Sequence, residues 1–442
     1  MARRPTAACR SAHPGSQVSA VPGARRLART DWLPWGKRSE HPRVCIVRQN
    51  DGFDESVQRE ASALAAAGFE VDVLCMRFAP GQDDIRPAPG IKVTGLPASL
   101  HRAGLLSYCV DYAWFWLLVA VTLAVRHARR PYAVVQINTM PDVLVFSAIV
   151  PKLLGAWVVG FFKEPTPELF ETLYGRPGLT RALARVEQAA LRFADHALTV
   201  TDELRQVYVE RGARREDISV IRTANASRPI PQAVVRNAAS TNGFLVLCHG
   251  TIEKRYGPDT IVDAADLLRD RIPGLRVVFT GRGGGIPELL DQIERLGLGD
   301  IVTFEGWVSR ERLDELLATA DVGVVAQKAS PYSHLVTTNK MIDYWNFGLP
   351  TIASRLRSVS AAHDDDRLEY FEPGNAAALA AAIQRLHDDP VRRAQLSDNG
   401  RAALDLSGWD AQADLYLGVY YSLLAGQLGR RRGRRRPRLV TS

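Results

Sequence analysis

From residue 43 onward, apolar and polar positions follow two alternating periods. Short continuous apolar runs lie at 44–47, 70–75, 91–93, 133–137, 157–161 and 196–200, and helix-period stretches follow, clearest at 55–67 and 111–127. Strands that are apolar at successive positions are buried on both faces, which is the habit of parallel sheets covered by crossover helices. Between 227 and 242 the chain is polar and aperiodic and carries Pro229 and Pro231, so this stretch reads as a linker. The alternation then restarts, with strands expected at 244–248, 276–280, 301–304, 322–326 and 351–354. Helices are expected at 259–270, 287–296, 310–320, 376–387, 390–397 and 410–424. The pattern predicts an α/β protein of two Rossmann-like, doubly wound domains, 43–226 and 243–409, with a cleft between them. A last helix within 410–428 is expected to pack back toward the first domain.

Composition changes this picture mainly at the ends. The net charge is +8, yet residues 1–42 hold +6 and Arg430 to Arg438 add seven arginines, so the body between carries −5. An acidic body argues against a nucleic-acid groove. The tails, 1–42 and 429–442, read as disordered and basic, able to touch an anionic membrane surface. Residues 1–42 lack the apolar segment of a signal peptide. Five scattered cysteines without a C-x-x-C pair point to a reducing, cytoplasmic setting and to no zinc site. The stretch 105–125 is apolar but interrupted by Asp111, so a buried or interfacial helix is expected in preference to a span.

Candidate chemistry gathers at three strand ends of the second half. Thr337, Thr338 and Asn339 are helix-capping residues, and Gly348 and Pro350 stop the helix they begin. A helix N-terminus presents free N–H groups to an anion, while Lys340 and Asp343 share its first turns. Glu253-Lys254-Arg255 follows the first strand and offers two cations suited to a diphosphate. Gly281 to Gly285 follows a strand, but it is neither a G-x-G-x-x-G fingerprint nor a P-loop, which counts against NAD binding and ATP hydrolysis. Each feature alone also fits an ordinary capped helix, a solvated loop or a tight turn.

Taken in order, these residues resemble the donor domain of GT-B glycosyltransferases, specifically the retaining family 4. The resemblance rests on His249-Gly250-Thr251, Arg255-Tyr256-Gly257, Thr280-Gly281-Arg282-Gly283, Phe304-Glu305-Gly306-Trp307-Val308, Asn339-Lys340-x-x-Asp343-Tyr344, Gly348-x-Pro350 and Tyr370-Phe371-Glu372-Pro373-Gly374. It implies a nucleoside diphosphate sugar donor. Lys254, Arg255 and the N–H groups of Thr338 and Asn339 would hold its diphosphate, with Lys340, Gly281 and Gly283 beside it. Asp343 would bind ribose, and Gly306 to Val308 would flank the base. It also implies that no cofactor or divalent metal is needed.

Two departures bear on catalysis. The residue eight before Asp343, an acid in many members, is Leu335. On the acceptor side, Asn138 replaces a usual histidine, and Phe161-Phe162-Lys163-Glu164 replaces an Asp-x-His-acid segment. Lys163, Glu164 and Asn138 are therefore the catalytic candidates, and Gly52, in the polar loop 49–53, belongs to the acceptor side. The expected activity is retaining transfer of a sugar to a polysaccharide or lipid-linked acceptor. Two alternatives stand beside it: a non-catalytic nucleotide-sugar-binding partner, and an epimerase or hydrolase on the same fold.

Overall fold

The computed structural model describes residues 41–51, 55–76, 88–99, 105–222 and 243–426. The expected basic tails, the linker 227–242 and Gly52 lie outside the described residues, apart from the first tail's last two positions.

The first half is a seven-stranded parallel sheet. Its strands are β1 (Arg43–Asp51), β2 (Glu70–Met76), β3 (Ile91–Leu96), β4 (Val134–Asn138), β5 (Trp157–Phe162), β6 (His196–Thr199) and β7 (Ile218–Val220), in the order β3-β2-β1-β4-β5-β6-β7. Val44 pairs with Val71 on one side and Val134 on the other, and all three are fully buried. The second half has β8 (Phe244–Thr251), β9 (Leu275–Arg282), β10 (Val302–Phe304), β11 (Val322–Val325), β12 (Thr351–Ser354) and β13 (Glu369–Phe371), ordered β10-β9-β8-β11-β12-β13. In each sheet the strand order reverses beside the first strand, between β1 and β4 and between β8 and β11. Crossover helices diverge there to opposite faces, leaving a crevice at the carboxyl ends of the strands. The two crevices face each other.

The helix Asn339–Asn346 closes the second crevice. Tyr344 is fully buried, and its hydroxyl donates to the carbonyl oxygens of Leu247 at 3.0 Å and Val324 at 3.3 Å, on the adjacent strands β8 and β11. Gly323 is needed for that approach, because a Cβ there would lie 2.6 Å from the Tyr344 ring. The last helix, Trp409–Leu424, returns to the first half, and Tyr416, Val419, Tyr420 and Leu423 join its core.

The stretch expected to be a buried or interfacial helix is Leu105–Arg129, and it divides its faces. Phe115, Val119 and Leu123 are fully buried against the first sheet, while Val110, Trp114, Leu117, Val121 and Val125 are exposed. The three-residue edge strands β7 and β13 were not expected from the pattern, since runs this short carry no period.

Candidate active site

A cavity of about 410 Å³ lies between the facing crevices. Its second-half wall is made by the capped helix. Thr338 is the N-cap, and its hydroxyl accepts from the Lys340 N–H. The neighbouring N–H groups of Asn339 and Met341 belong to the helix's positive end. The Lys340 stem crosses Gly250, where a Cβ would come within 3.0 Å of its Cε, and its ammonium lies 4.9 Å from the centre of the Tyr256 ring. Burial lowers the Lys340 pKa. Asp343 borders the same cavity one turn further on, with its side chain 15% exposed.

His249 is a wall residue that the sequence reading quoted but did not assign. Its Nε2 is buried without a hydrogen-bond partner and sits 3.8 Å from Asp343. Burial, with Lys340 and then Arg310 adding to it, pushes its pKa down to about 3, so at neutral pH it faces Asp343 uncharged. A neutral imidazole and a carboxylate side by side suit a ligand hydroxyl, which donates to one and accepts from the other.

The other donor-side candidates of this half fall outside this wall. Lys254 is exposed and lies off the cavity wall, and Arg255, next to it, is near enough to the wall residues Glu164 and Tyr332 to act on both. Lys254–Tyr256 forms a 3₁₀ turn, in which successive side chains point about 120° apart, and the one that meets the cavity is Tyr256. Gly281 and Gly283 also stand off the wall. A Cβ on Gly281 would lie 1.7 Å from the Gly250 carbonyl oxygen, and one on Gly283 1.9 Å from that of Ile252. These glycines let β9 run against the end of β8 and so hold the site's frame. Gly306 and Val308 are likewise outside the wall, and the Gly306 carbonyl accepts from the Gly281 N–H at 2.8 Å and the Thr280 hydroxyl at 2.7 Å.

The first-half wall carries Arg48, Ser56, Lys163 and Glu164. The Lys163 ammonium donates to Glu60 at 2.6 Å and to the Ser56 hydroxyl at 2.5 Å, and it lies 4.4 Å from the Phe161 ring centre. Glu164 accepts from the Tyr332 hydroxyl of the opposite half at 2.6 Å. Burial raises the Glu164 pKa, against the lowering effects of Tyr332 and the nearby cations. Asn138 does not reach the cavity. It is fully buried and donates to Glu60 at 3.0 Å, so the polar contact it makes is behind the wall. Leu335, where many members have an acid, is 2% exposed and packs into the first half's core cluster, an environment hostile to an unpaired carboxylate.

The comparisons follow this division. Residues 51–224 match the family described as Glycosyl transferase 4-like domain, and residues 243–389 match that described as Glycosyl transferases group 1. The chain is a GT-B glycosyltransferase. It is 26% identical over 406 residues to a D-inositol 3-phosphate glycosyltransferase of an Arthrobacter species, covering 84% of this chain and 90% of that one. It is 31% identical over 209 residues to the lipopolysaccharide core biosynthesis glycosyltransferase LpsD of Rhizobium meliloti, covering 46% and 57%. A third relative, the D-inositol 3-phosphate glycosyltransferase of Nocardiopsis dassonvillei, is 29% identical, and the match spans 55% of this chain and 59% of that relative's length. Among solved structures, the sucrose-phosphate synthase of Thermosynechococcus elongatus superposes with a TM-score of 0.71 at 22% identity, covering 87% of this chain and all of that one. Anabaena HepE in complex with UDP-glucose gives 0.66 at 18% identity, covering 86% and 100%.

For this glycosyltransferase, Asp343→Ala should weaken nucleotide-sugar binding about ten- to a hundredfold. That corresponds to the loss of charge-assisted hydrogen bonds worth roughly 1.5–3 kcal/mol. Isothermal titration of the two proteins measures it. Equal affinities would make Asp343 an ordinary helix-surface residue.

Proposed function

We propose that this glycosyltransferase moves a sugar, with retention, from a nucleoside diphosphate sugar to a saccharide or lipid-linked acceptor of a surface polysaccharide or glycolipid. The observation that carries the donor assignment is the pairing, on one wall, of Lys340 and a capped helix end with Asp343 and His249. Cation and helix end suit a diphosphate, while carboxylate and imidazole suit hydroxyls. HepE, of the same fold, was crystallised with UDP-glucose, and curated relatives are named for inositol phosphate and lipopolysaccharide transfer. The retaining stereochemistry rests on the family 4 resemblance.

The test is a thermal-shift panel of uridine, guanosine and adenosine diphosphate sugars. A ligand at 100 times its Kd stabilises the folded state by about 2.7 kcal/mol, so the true nucleotide class should separate from the others. No shift with any class would overturn the donor assignment. Anomeric configuration of the product, read by NMR, tests retention. Lys340 and the helix end supply positive charge for the departing diphosphate, so EDTA is expected to leave turnover unchanged; a fall restored by magnesium would assign that charge to a metal.

The proposal places the enzyme in the cytoplasm, at the inner face of the plasma membrane. Support comes from the exposed residues Val110, Trp114, Leu117, Val121 and Val125, which form a stripe along one helix. That helix packs on Asp142–Ala148 and Ile149–Leu153, where Ile149, Val150, Leu153 and the following Leu154 are exposed too. By length and composition the segment Cys109–Arg129 is apolar enough to cross a membrane, yet its other face is committed to the core. A ridge apolar on one side, with Arg129 exposed in its last turn, suits the headgroup boundary of an anionic lipid surface. The protein is expected to sediment with phosphatidylglycerol vesicles and to stay partly bound at 1 M salt, where the Debye length has shrunk to about 3 Å. Val121→Asp with Leu153→Asp should remove the salt-resistant part. Failure to sediment at any salt concentration would exclude the membrane placement.

A further inference from the structure

Behind the first-half wall, a chain of buried polar groups runs from the last helix to the cavity. Glu60 is 2% exposed and all of its acceptor capacity is used. One carboxylate oxygen accepts from Lys163 at 2.6 Å and Ser56 at 3.0 Å, the other from the Gln136 amide at 2.7 Å and Asn138 at 3.0 Å. Gln136, fully buried, uses its carbonyl oxygen on the opposite side, where it accepts from the hydroxyls of Tyr416 at 2.7 Å and Tyr420. The two hydroxyl oxygens are 3.0 Å apart, and both tyrosines are fully buried.

This arrangement has a direction. A carboxylate only accepts and an amide NH₂ only donates, so the Glu60 side of Gln136 must be its NH₂. Its oxygen is then turned toward the last helix, where buried hydroxyls must donate to it. Burial raises both phenols, so they remain protonated donors. A flipped amide would set its oxygen against the Glu60 carboxylate, acceptor against acceptor. Each contact therefore orients the next, from residues 416 and 420 to the ammonium at the cleft.

We propose that Tyr416 and Tyr420 are positioning residues for Lys163: through Gln136 they hold the Glu60 carboxylate, and Glu60 holds the ammonium at the sugar-binding wall. The last helix, some 280 positions beyond Gln136 in sequence, thus completes a site built from β4, the end of β5 and the helix Glu55–Ala66. Lys163 itself borders the cavity, whereas the two tyrosines act only through it. The inference rests on the transfer reading only for what Lys163 meets there. Its test reads Lys163 directly and stands apart from the identity of donor and acceptor.

The full-length protein is pulsed briefly with acetic anhydride, and acetylation of Lys163 is measured by mass spectrometry against that of exposed Lys92. A lysine tied to a buried carboxylate reacts slowly. Tyr416→Phe with Tyr420→Phe, and separately Gln136→Leu, should raise the Lys163-to-Lys92 ratio about threefold or more, as loss of a buried ion pair's supporting bonds frees the ammonium. Leu423→Ala removes volume from the same buried helix face without touching a hydroxyl, and it should lower the melting temperature while leaving the ratio at the wild-type value. The proposal is overturned if the tyrosine variant keeps the wild-type ratio, or if Leu423→Ala raises it equally. Should the double variant fail to fold, Tyr420→Phe alone, which retains the ring, decides by the same ratio.

Discussion

Lys340→Met should lower nucleoside diphosphate release by about a hundred- to a thousandfold, the range seen when one preorganised group facing developing charge is removed. Methionine keeps an apolar stem across Gly250 and beside Tyr256, so the substitution chiefly deletes the charge. Among the described residues the Lys340 ammonium has no carboxylate partner; its neighbours are the Tyr256 ring, neutral His249 and the Cys248 thiol. A half-buried cation of this kind retains most of its field for a ligand, because little of it is neutralised by the protein. Lys163 differs, since Glu60 already balances it. Lys254→Met is the matched control. Lys254 is exposed and off the wall, and a substitution at such a position is expected to change turnover less than about twofold. A larger loss at Lys254 than at Lys340 would return the diphosphate to the turn that the sequence pattern first suggested.

The difference between Lys254 and Lys340 is not encoded in the local pattern. Both lysines stand at the carboxyl ends of strands of one sheet, and both were visible as phosphate candidates. What separates them is the rotation of a three-residue turn, which composition does not encode. The fold was far more legible. Strands such as 44–47 and 244–248 are apolar at every position because both of their faces are covered, and this survives any detail of packing. The capped helix was legible for a local reason too: Thr338, Gly348 and Pro350 act on their own backbone. Glu60 was not legible. It sits on an amphipathic helix as one more acidic residue, and its meaning comes from partners 76, 78 and 103 positions away. Asn138, singled out by resemblance, is a similar case, because its amide turns back to Glu60. The absent acid at Leu335 was visible as a departure, and the reason lies in a core to which the opposite half contributes.

Glu60→Ala should destabilise the protein by about 3–5 kcal/mol, the usual cost of removing one partner of a buried ion pair. Lys163 would lose the carboxylate that balances its charge, in a site where its side chain is 14% exposed. Gln136 and Asn138 would each lose an acceptor inside a fully buried environment, which adds to the penalty. Equilibrium unfolding in urea, followed by fluorescence of the first half's tryptophans, gives the difference. The companion variant separates charge from volume. In Glu60→Met with Lys163→Met both charges are gone, and such replacements are often close to neutral for stability. The double variant should therefore recover most of the stability lost by Glu60→Ala while remaining poor in turnover. If it were no more stable than the single variant, the loss would stem from the unpaired Gln136 and Asn138 amides or from helix packing, and not from the Lys163 ammonium. Recovery of stability together with full turnover would show that transfer proceeds without the Lys163 cation, leaving Arg48, Lys340 and the helix end to carry the electrostatics.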